Sequence, residues 1–157
     1  MKILAVVQRF YPAIGGAEHV LKQYLDHLSS HHEITVYTSD ALDLASFWNK
    51  KNLPQTNFEE KNLEIKRFKI FTPNEMSLNE LSFPYSISSL GPFCPEMWDS
   101  LINLDNNFDL IIASSFPYDH MIPAFLAAKK KNIPIIIIPH IHLEFPHLHF
   151  TASKLTI

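Results

Sequence analysis

The sequence is poor in cysteine, glycine and net charge, and each shortage excludes a class of protein. Of its 157 residues, 1 is Cys and 3 are Gly. A lone Cys94 cannot form an intrachain disulfide, which favours a reducing compartment, and so little glycine excludes a collagen-like fibre. The formal net charge of -3 gives no general attraction to nucleic acid or to an anionic membrane.

Long apolar runs are missing as well. No aliphatic stretch approaches the roughly 20 residues that a membrane span needs. The chain opens on one Lys and a short strand-like run rather than on a signal peptide. Hydrophobic residues nevertheless make up 46% of the sequence, enough for one well-packed core. We therefore expect residues 1–157 to form a single cytoplasmic domain.

The first 38 residues have the pattern of a strand, a helix and a second strand. Residues 2–7 form a short β-branched apolar run, typical of a strand buried on both faces. From Gly16 onward, apolar residues recur at the spacing of one helix face. Residues 34–37 then predict a second strand. This βαβ unit requires parallel strands joined by a right-handed crossover.

The same alternation returns later in the chain. Residues 63–70 predict a half-exposed strand with a bulge near the sheet edge, and residues 110–113 a buried strand. Because Pro123 is tolerated only in a first turn, the next helix should begin near His120. The four isoleucines at 135–138 predict a fully covered central strand. Together these segments predict a doubly wound, Rossmann-like α/β domain with about five mostly parallel strands.

In such sheets ligands bind beyond the carboxyl ends of the strands, which selects the loops at residues 8–16, 114–119 and 139–146. Gly15 and Gly16 stand where the first helix begins, so bare backbone and a partial positive charge are offered to a phosphate. A tight turn without a ligand is the alternative. Glu18, in the first helical turn, either stabilises the helix N-terminus or orients a sugar hydroxyl.

Histidines crowd the end of the sequence. His140 and His142 follow the isoleucine strand, and their alternate spacing would also suit a metal, with Glu144 as a further ligand. The pattern matches no firm metal template, so a polar ligand-binding loop is the preferred interpretation. Asp40 follows the second strand, where it is either a ribose ligand or a solvated loop residue. Cys94 has no partner that would make it a catalytic thiol.

Taken together, these segments resemble a known family. The chain opens on Lys-Ile-Leu-Ala-Val-Val, continues with Tyr-Pro-Ala-Ile-Gly-Gly-Ala-Glu ending at Glu18, and later carries Phe-Asp-Leu-Ile-Ile and a run of isoleucines ending in Pro-His at His140. This order resembles the N-terminal domain of the group 1, or family four, retaining glycosyltransferases, whose two Rossmann-like domains face each other across a cleft in the GT-B architecture. The stretch 41–107 carries no part of the resemblance.

The resemblance implies a function and site residues. A sugar would pass from a nucleotide diphosphate donor to an acceptor hydroxyl with retention of configuration, without a metal or another cofactor. Gly15 and Gly16 would approach the donor phosphates and the acceptor, with Glu18 beside them. His140 would lie beside the transferred sugar as the catalytic residue, with His142 as a second contact. Acceptor loops would lie at residues 72–95 and 114–119, the latter including Ser114.

The resemblance also implies partners. The acceptor would be a carbohydrate or a lipid-linked sugar, and a lipid-linked acceptor would bring the protein to the inner face of a membrane. No nucleic acid is expected. The donor-binding C-terminal domain of the family has no counterpart in the sequence, so the isolated domain is expected to be inactive. One alternative is a non-catalytic sugar- or nucleotide-binding half that pairs with a separate subunit. A nucleotide-dependent oxidoreductase is the other, and the incomplete glycine fingerprint disfavours it.

Overall fold

A computed structural model of the chain describes residues 1–43, 46, 63–71, 93–105, 107–115 and 118–140. The described residues form a five-stranded sheet with helices on both faces. In chain order the elements are β1 (Lys2–Val7), α1 (Gly16–Ser29), β2 (Glu33–Ser39), β3 (Glu64–Phe68), α2 (Pro95–Ile102), β4 (Leu110–Ser114), α3 (Met121–Lys131) and β5 (Ile135–Ile138).

All strand pairs are parallel, and the strand order is β3-β2-β1-β4-β5. The predicted doubly wound α/β fold is therefore confirmed. β1 is the central strand, and the five residues from Ile3 to Val7 are all buried, as its continuous apolar run predicts. The chain leaves β1 toward β2 on one side, whereas β4 and β5 extend the sheet on the other.

Two hydrophobic clusters cover the two faces of the sheet. On one face, residues such as Ile3 and Val36 pack with Leu21 and Leu25 of α1. On the other, residues such as Val6 and Ile111 pack with α2 and α3. Alternate residues of each strand therefore enter opposite clusters, which is the arrangement that a sheet covered on both faces requires.

The third helix begins where Pro123 predicts. His120 is its N-cap residue and Pro123 lies in its first turn, where a missing backbone N–H costs nothing. The three lysines at 129–131 occupy the last turn, where cations complement the helix dipole. Asn132 ends the helix in the left-handed conformation, with a φ of 55°.

Two details of the sheet differ from the sequence prediction. The pairing of β2 with β3 runs without interruption from Thr35–Glu64 to Ser39–Phe68, so the predicted bulge is wrong. The break in alternation has another cause: Arg67 occupies a half-buried position and its guanidinium donates to the backbone carbonyl of Tyr11. A polar residue is thus accommodated there by a hydrogen bond instead of by a change in register.

The prediction for β5 was also wrong. Within the described sheet β5 is an edge strand, and Ile136 and Ile137 are each 50% exposed. A run of isoleucines indicates that the strand is apolar. It does not indicate how many strands and helices pack against it. Residues 72–92, 116–117 and 141–157, including His142, lie outside the described residues.

Candidate functional site

The site lies where the winding of the sheet reverses. β1 and β4 are neighbours, yet the connections that leave their carboxyl ends run to opposite sides of the sheet. Val7, the last residue of β1, pairs with Ser114, the last residue of β4, which in turn pairs with Ile138 of β5. Parallel strands that diverge in this way leave a crevice above their ends, where doubly wound domains bind ligands.

The glycine turn forms one wall of this crevice. Gly15 is the N-cap residue of α1, and because it has no side chain it makes no capping hydrogen bond. A Cβ added at Gly16 would meet no atom within 4 Å. The Cβ position of Gly16 therefore faces open space, and a surface cavity of about 410 Å³ lies over this turn. Such a helix N-terminus favours a phosphate or another oxygen-rich group.

Glu18 is held against the glycine turn by a partner that the sequence prediction missed. Its carboxylate forms an ion pair with the Arg9 guanidinium, and their side chains are 8% and 14% exposed, respectively. Glu18 therefore does more than stabilise a helix end, since it fixes the loop that follows β1. The sequence did contain a signal for Arg9. It is a basic residue that closely follows a strand, in a loop predicted to bind a ligand.

Two strand ends near the crevice adopt unusual backbone conformations. Ser115, directly after β4, has a φ of 74°, and His140, two residues after β5, has a φ of 41°. Asn132, the remaining non-glycine residue with positive φ in the described ranges, is explained by its place at a helix end. Residues other than glycine adopt this conformation at a cost in conformational energy. Such strained residues are concentrated at binding and catalytic sites.

Several buried polar atoms at this edge have no hydrogen-bond partner in the structure. They include Nε2 of His140 and the hydroxyls of Ser114 and Thr38. Both hydroxyl residues pair in register with Val7 and are fully buried, so their hydroxyls flank the end of β1 on the face that α1 covers. An unpartnered buried hydroxyl is costly, and a ligand or an ordered water commonly satisfies it.

His120 is another residue of this edge that the sequence analysis did not single out as functional. It is 2% exposed, with Nε2 at 2.7 Å from the backbone carbonyl of Ser114 and Nδ1 at 2.9 Å from the carboxamide oxygen of Gln8. Burial lowers the pKa of His120 to about 4, against the opposing effect of the bond to Ser114. The positional argument that selected Ser114 and His140 applies equally to His120, which follows β4 within the same loop.

The mouth of the crevice carries ionisable groups near this histidine. The Tyr118 ring stacks on His120 with 6.4 Å between centroids. Burial raises the pKa of Tyr118, an effect that Arg9 opposes and Glu18 reinforces. Burial also raises the pKa of Asp119, whose carboxylate accepts a hydrogen bond from the Trp98 indole.

Neither the protein-family models nor the curated proteins give a match to this sequence. In the part of the chain that the structure describes, no helix is long and apolar enough to cross a membrane.

The structure also shows the surroundings of two further candidates from the sequence, Asp40 and Cys94. Asp40 accepts a hydrogen bond of 3.0 Å from the backbone N–H of Ile70, so its carboxylate joins two loops of the protein.

Cys94 is buried, and burial together with Asp40 and Asp119 raises its pKa to about 12, which disfavours a reactive thiolate. Within the described ranges, no three His, Cys, Asp or Glu side chains are placed to hold a metal ion. His142 and Glu144 lie outside those ranges.

Proposed function

We propose that this chain is the acceptor-side half of a retaining glycosyltransferase that uses a nucleotide diphosphate sugar. One observation carries the proposal. The open space beside Gly16 at the N-terminus of α1, the unpartnered hydroxyl of Ser114 and the unpartnered Nε2 of His140 all belong to the carboxyl edge of one parallel sheet. This combination suits a ligand with a phosphate at one end and sugar hydroxyls at the other.

The proposed roles follow from the chemistry of each group. The N–H groups at Gly15 and Gly16 would donate to oxygens of the donor diphosphate or of the acceptor, and this donation stabilises the charge that develops as the diphosphate departs. Ser114 would donate or accept at a sugar hydroxyl. His140, whose Nε2 is shielded from solvent, would lie beside the transferred sugar. His142 keeps its place as a second proposed sugar contact.

Glu18 is proposed as a contact for a sugar hydroxyl. Its carboxylate is negative, so it repels phosphate and accepts from hydroxyls. Because Arg9 neutralises part of that charge, a diphosphate can still approach the adjacent backbone. The proposed partners are a donor-binding domain across the cleft and a carbohydrate or lipid-linked acceptor, which would bring the protein to a membrane surface.

The proposal is tested by titrating the whole chain with UDP-glucose, GDP-mannose and NAD while the amide resonances are followed by NMR. We expect the nucleotide sugars to shift the amides of Gly15, Gly16 and Ser115, with weak affinity because one wall of the cleft binds alone. Gly16→Ala should weaken this binding about tenfold. His31→Ala, at the opposite edge of the sheet, is the matched control and should have no effect.

Two outcomes would contradict the proposal. Binding of NAD more tightly than either nucleotide sugar would favour an oxidoreductase domain. Nucleotide-sugar shifts that spare residues 15, 16 and 115 would place the ligand elsewhere.

A further inference from the structure

A line of hydrogen bonds crosses the carboxyl edge of the sheet and joins four strands. The Ser39 hydroxyl and backbone N–H both donate to the Gln8 carbonyl. The Gln8 side chain contacts His120, and His120 contacts the Ser114 carbonyl. The N–H of Ser115 donates to the carbonyl of Ile138 at 3.0 Å. We call this line the carboxyl-edge belt, and it runs from β2 through β1 and β4 to β5.

His120 joins β1 and β4 at the carboxyl end of their pairing. β1 and β4 pair as far as Val7 and Ser114. At this last pair the imidazole adds a side-chain hydrogen bond to the carbonyl of Ser114. The residues at the centre of the belt are nearly free of solvent: Ser39, Gln8, His120 and Ser114 are at most 2% exposed.

The peptide between Ser114 and Ser115 is fixed from both sides. In a trans peptide the C=O and the N–H point in opposite directions. Here the C=O accepts from His120 on one side, and the N–H donates to Ile138 of β5 on the other. This peptide precedes the strained φ of Ser115, and Ile138 lies two residues before His140. Hydrogen bonds therefore connect His120 to both strand ends that border the crevice.

The partners of the ring define its tautomer. A backbone carbonyl only accepts, so Nε2 of His120 carries the proton and donates to Ser114. Nδ1 of a neutral ring then carries a lone pair. The structure places Oε1 of Gln8 at 2.9 Å from Nδ1. Because the oxygen and nitrogen of a carboxamide are nearly isosteric, we infer from the hydrogen-bond pattern that the amide is turned, so that its NH₂ group donates to Nδ1. The complete burial of the ring, which disfavours the imidazolium, supports this assignment.

We propose that His120, as the neutral Nε2–H tautomer, is a positioning residue that holds the glycine turn and the ends of β4 and β5 in the geometry that binds the ligand. The tautomer stands on the belt alone, whereas the effect on binding rests on the proposed function. His120 acts through Gln8, which opens the loop that leads to Gly15, and through the 114–115 peptide, which leads to His140. It touches no reacting atom itself.

The first test is spectroscopic and needs no ligand. With ¹⁵N-labelled protein near neutral pH, we expect the His120 ring to show a protonated Nε2 and an unprotonated Nδ1. Gln8→Glu replaces the donor by a carboxylate, which only accepts. The ring should then become doubly protonated, and its pKa should rise by about 2 units or more. A ring that forms neither of the two hydrogen bonds would show neither signature.

The chain offers a matched control for this substitution. Gln23 and His19 form a second glutamine–histidine pair at 3.0 Å, exposed on the surface of α1. Gln23→Glu should change the ring ¹⁵N shifts of His19 much less than Gln8→Glu changes those of His120, because solvent screens the exposed pair. An Nδ1–H tautomer for His120, or equal changes in the ring ¹⁵N shifts at the two pairs, would overturn the proposal.

The second test separates positioning from folding. His120→Gln keeps an N–H for the Ser114 carbonyl, whereas His120→Phe keeps only the shape and the burial of the ring. We expect nucleotide-sugar affinity to fall about tenfold in His120→Phe and to recover most of that loss in His120→Gln. Equal loss in both variants, with folded NMR spectra, would overturn the positioning role.

The two tests also separate this inference from the function on which it rests. If wild-type protein shows the Nε2–H tautomer yet binds neither nucleotide sugar, the belt stands and the proposed function fails. If it binds them but His120→Phe binds equally well, the function stands and the positioning role fails.

Discussion

The carboxylate of Glu18 occupies the place where a side chain at Gly15 would begin. A Cβ built on Gly15 would stand 2.1 Å from Oε2 of Glu18 and 2.9 Å from its Cδ. The backbone of Gly15 has a φ of 177°, which any residue can adopt, so sterics rather than conformation require glycine here. Gly16 next to it meets nothing within 4 Å, so the two glycines have different reasons to be present.

The adjacent glycines should therefore respond oppositely to alanine. Gly15→Ala has to displace the Glu18 carboxylate from Arg9, and we expect it to lower the free energy of unfolding by about 1–3 kcal/mol. Gly16→Ala fits the space and suits a helical position, so it should leave stability unchanged or raise it by up to about 1 kcal/mol. Urea denaturation measures both, and equal losses would refute the steric argument.

The Arg9–Glu18 pair should be strongly coupled because both side chains are mostly buried. Glu18→Gln leaves the Arg9 charge without its carboxylate, and we expect a loss of about 2 kcal/mol. Arg9→Met should cost a similar amount, and the double variant should cost less than the sum of the two. A double-mutant cycle measures this coupling, with the exposed pair Lys22–Asp26 on α1 as the comparison, at about 0.5 kcal/mol. Additive effects of Arg9→Met and Glu18→Gln would show that the pair contributes nothing.

Stability should rise with pH through the range in which His120 titrates. The pKa of His120 is about 4 in the folded protein, below its ordinary value of 6.5. Between these values the unfolded chain binds a proton that the folded protein does not, so acidification favours unfolding. At about 1.4 kcal/mol per pKa unit, the full effect is about 3 kcal/mol, present above pH 6.5 and lost as the pH falls toward 4.

A variant isolates this contribution from other titrating groups. The raised pKa of Asp119 acts in the opposite sense, since the folded protein then binds a proton more readily than the unfolded chain. The free energy of unfolding of wild type and of His120→Gln should therefore be compared at each pH. Their difference should shrink on acidification, and a difference independent of pH would contradict the lowered pKa.

Cys94 should be inert while the protein is folded. It is 3% exposed, and burial raises its pKa to about 12. Because the thiolate is the reactive form, an aromatic disulfide reagent at mildly alkaline pH should modify native protein at least about a hundredfold more slowly than unfolded protein. The same reaction in guanidinium is the control. Equal rates would mean that α2, which Cys94 precedes, opens readily.

The sequence pattern predicted the fold because its information is local. A continuous apolar run predicted β1, a 3.6-residue period predicted α1, and Pro123 located the start of α3. All three are consequences of backbone geometry and side-chain burial within one segment. The edge position of β5 is different, since it depends on which strands join the sheet beyond it, and no run of isoleucines contains that information.

The site was predicted only in part for the same reason. Position after a strand predicted that Gly15, Ser114 and His140 lie in loops at one edge of the sheet, because the carboxyl ends of parallel strands gather there. The contact of His120 with Gln8 joins residues 112 positions apart, and the Arg9–Glu18 pair depends on how a loop folds back on a helix. Such contacts appear once three-dimensional geometry is known.

The exposure of β5 leads to a prediction with an internal control. Ile112 of β4 and Ile136 of β5 are register partners on neighbouring strands, and they are 6% and 50% exposed. Ile112→Ala should cost about 3 kcal/mol of unfolding free energy, as cavity formation in a core does, and Ile136→Ala about 1 kcal/mol. Urea denaturation at low protein concentration measures both. If the two losses are equal, another strand or chain covers β5 in solution, and the concentration dependence of the Ile136→Ala effect would tell an intermolecular cover from an intramolecular one.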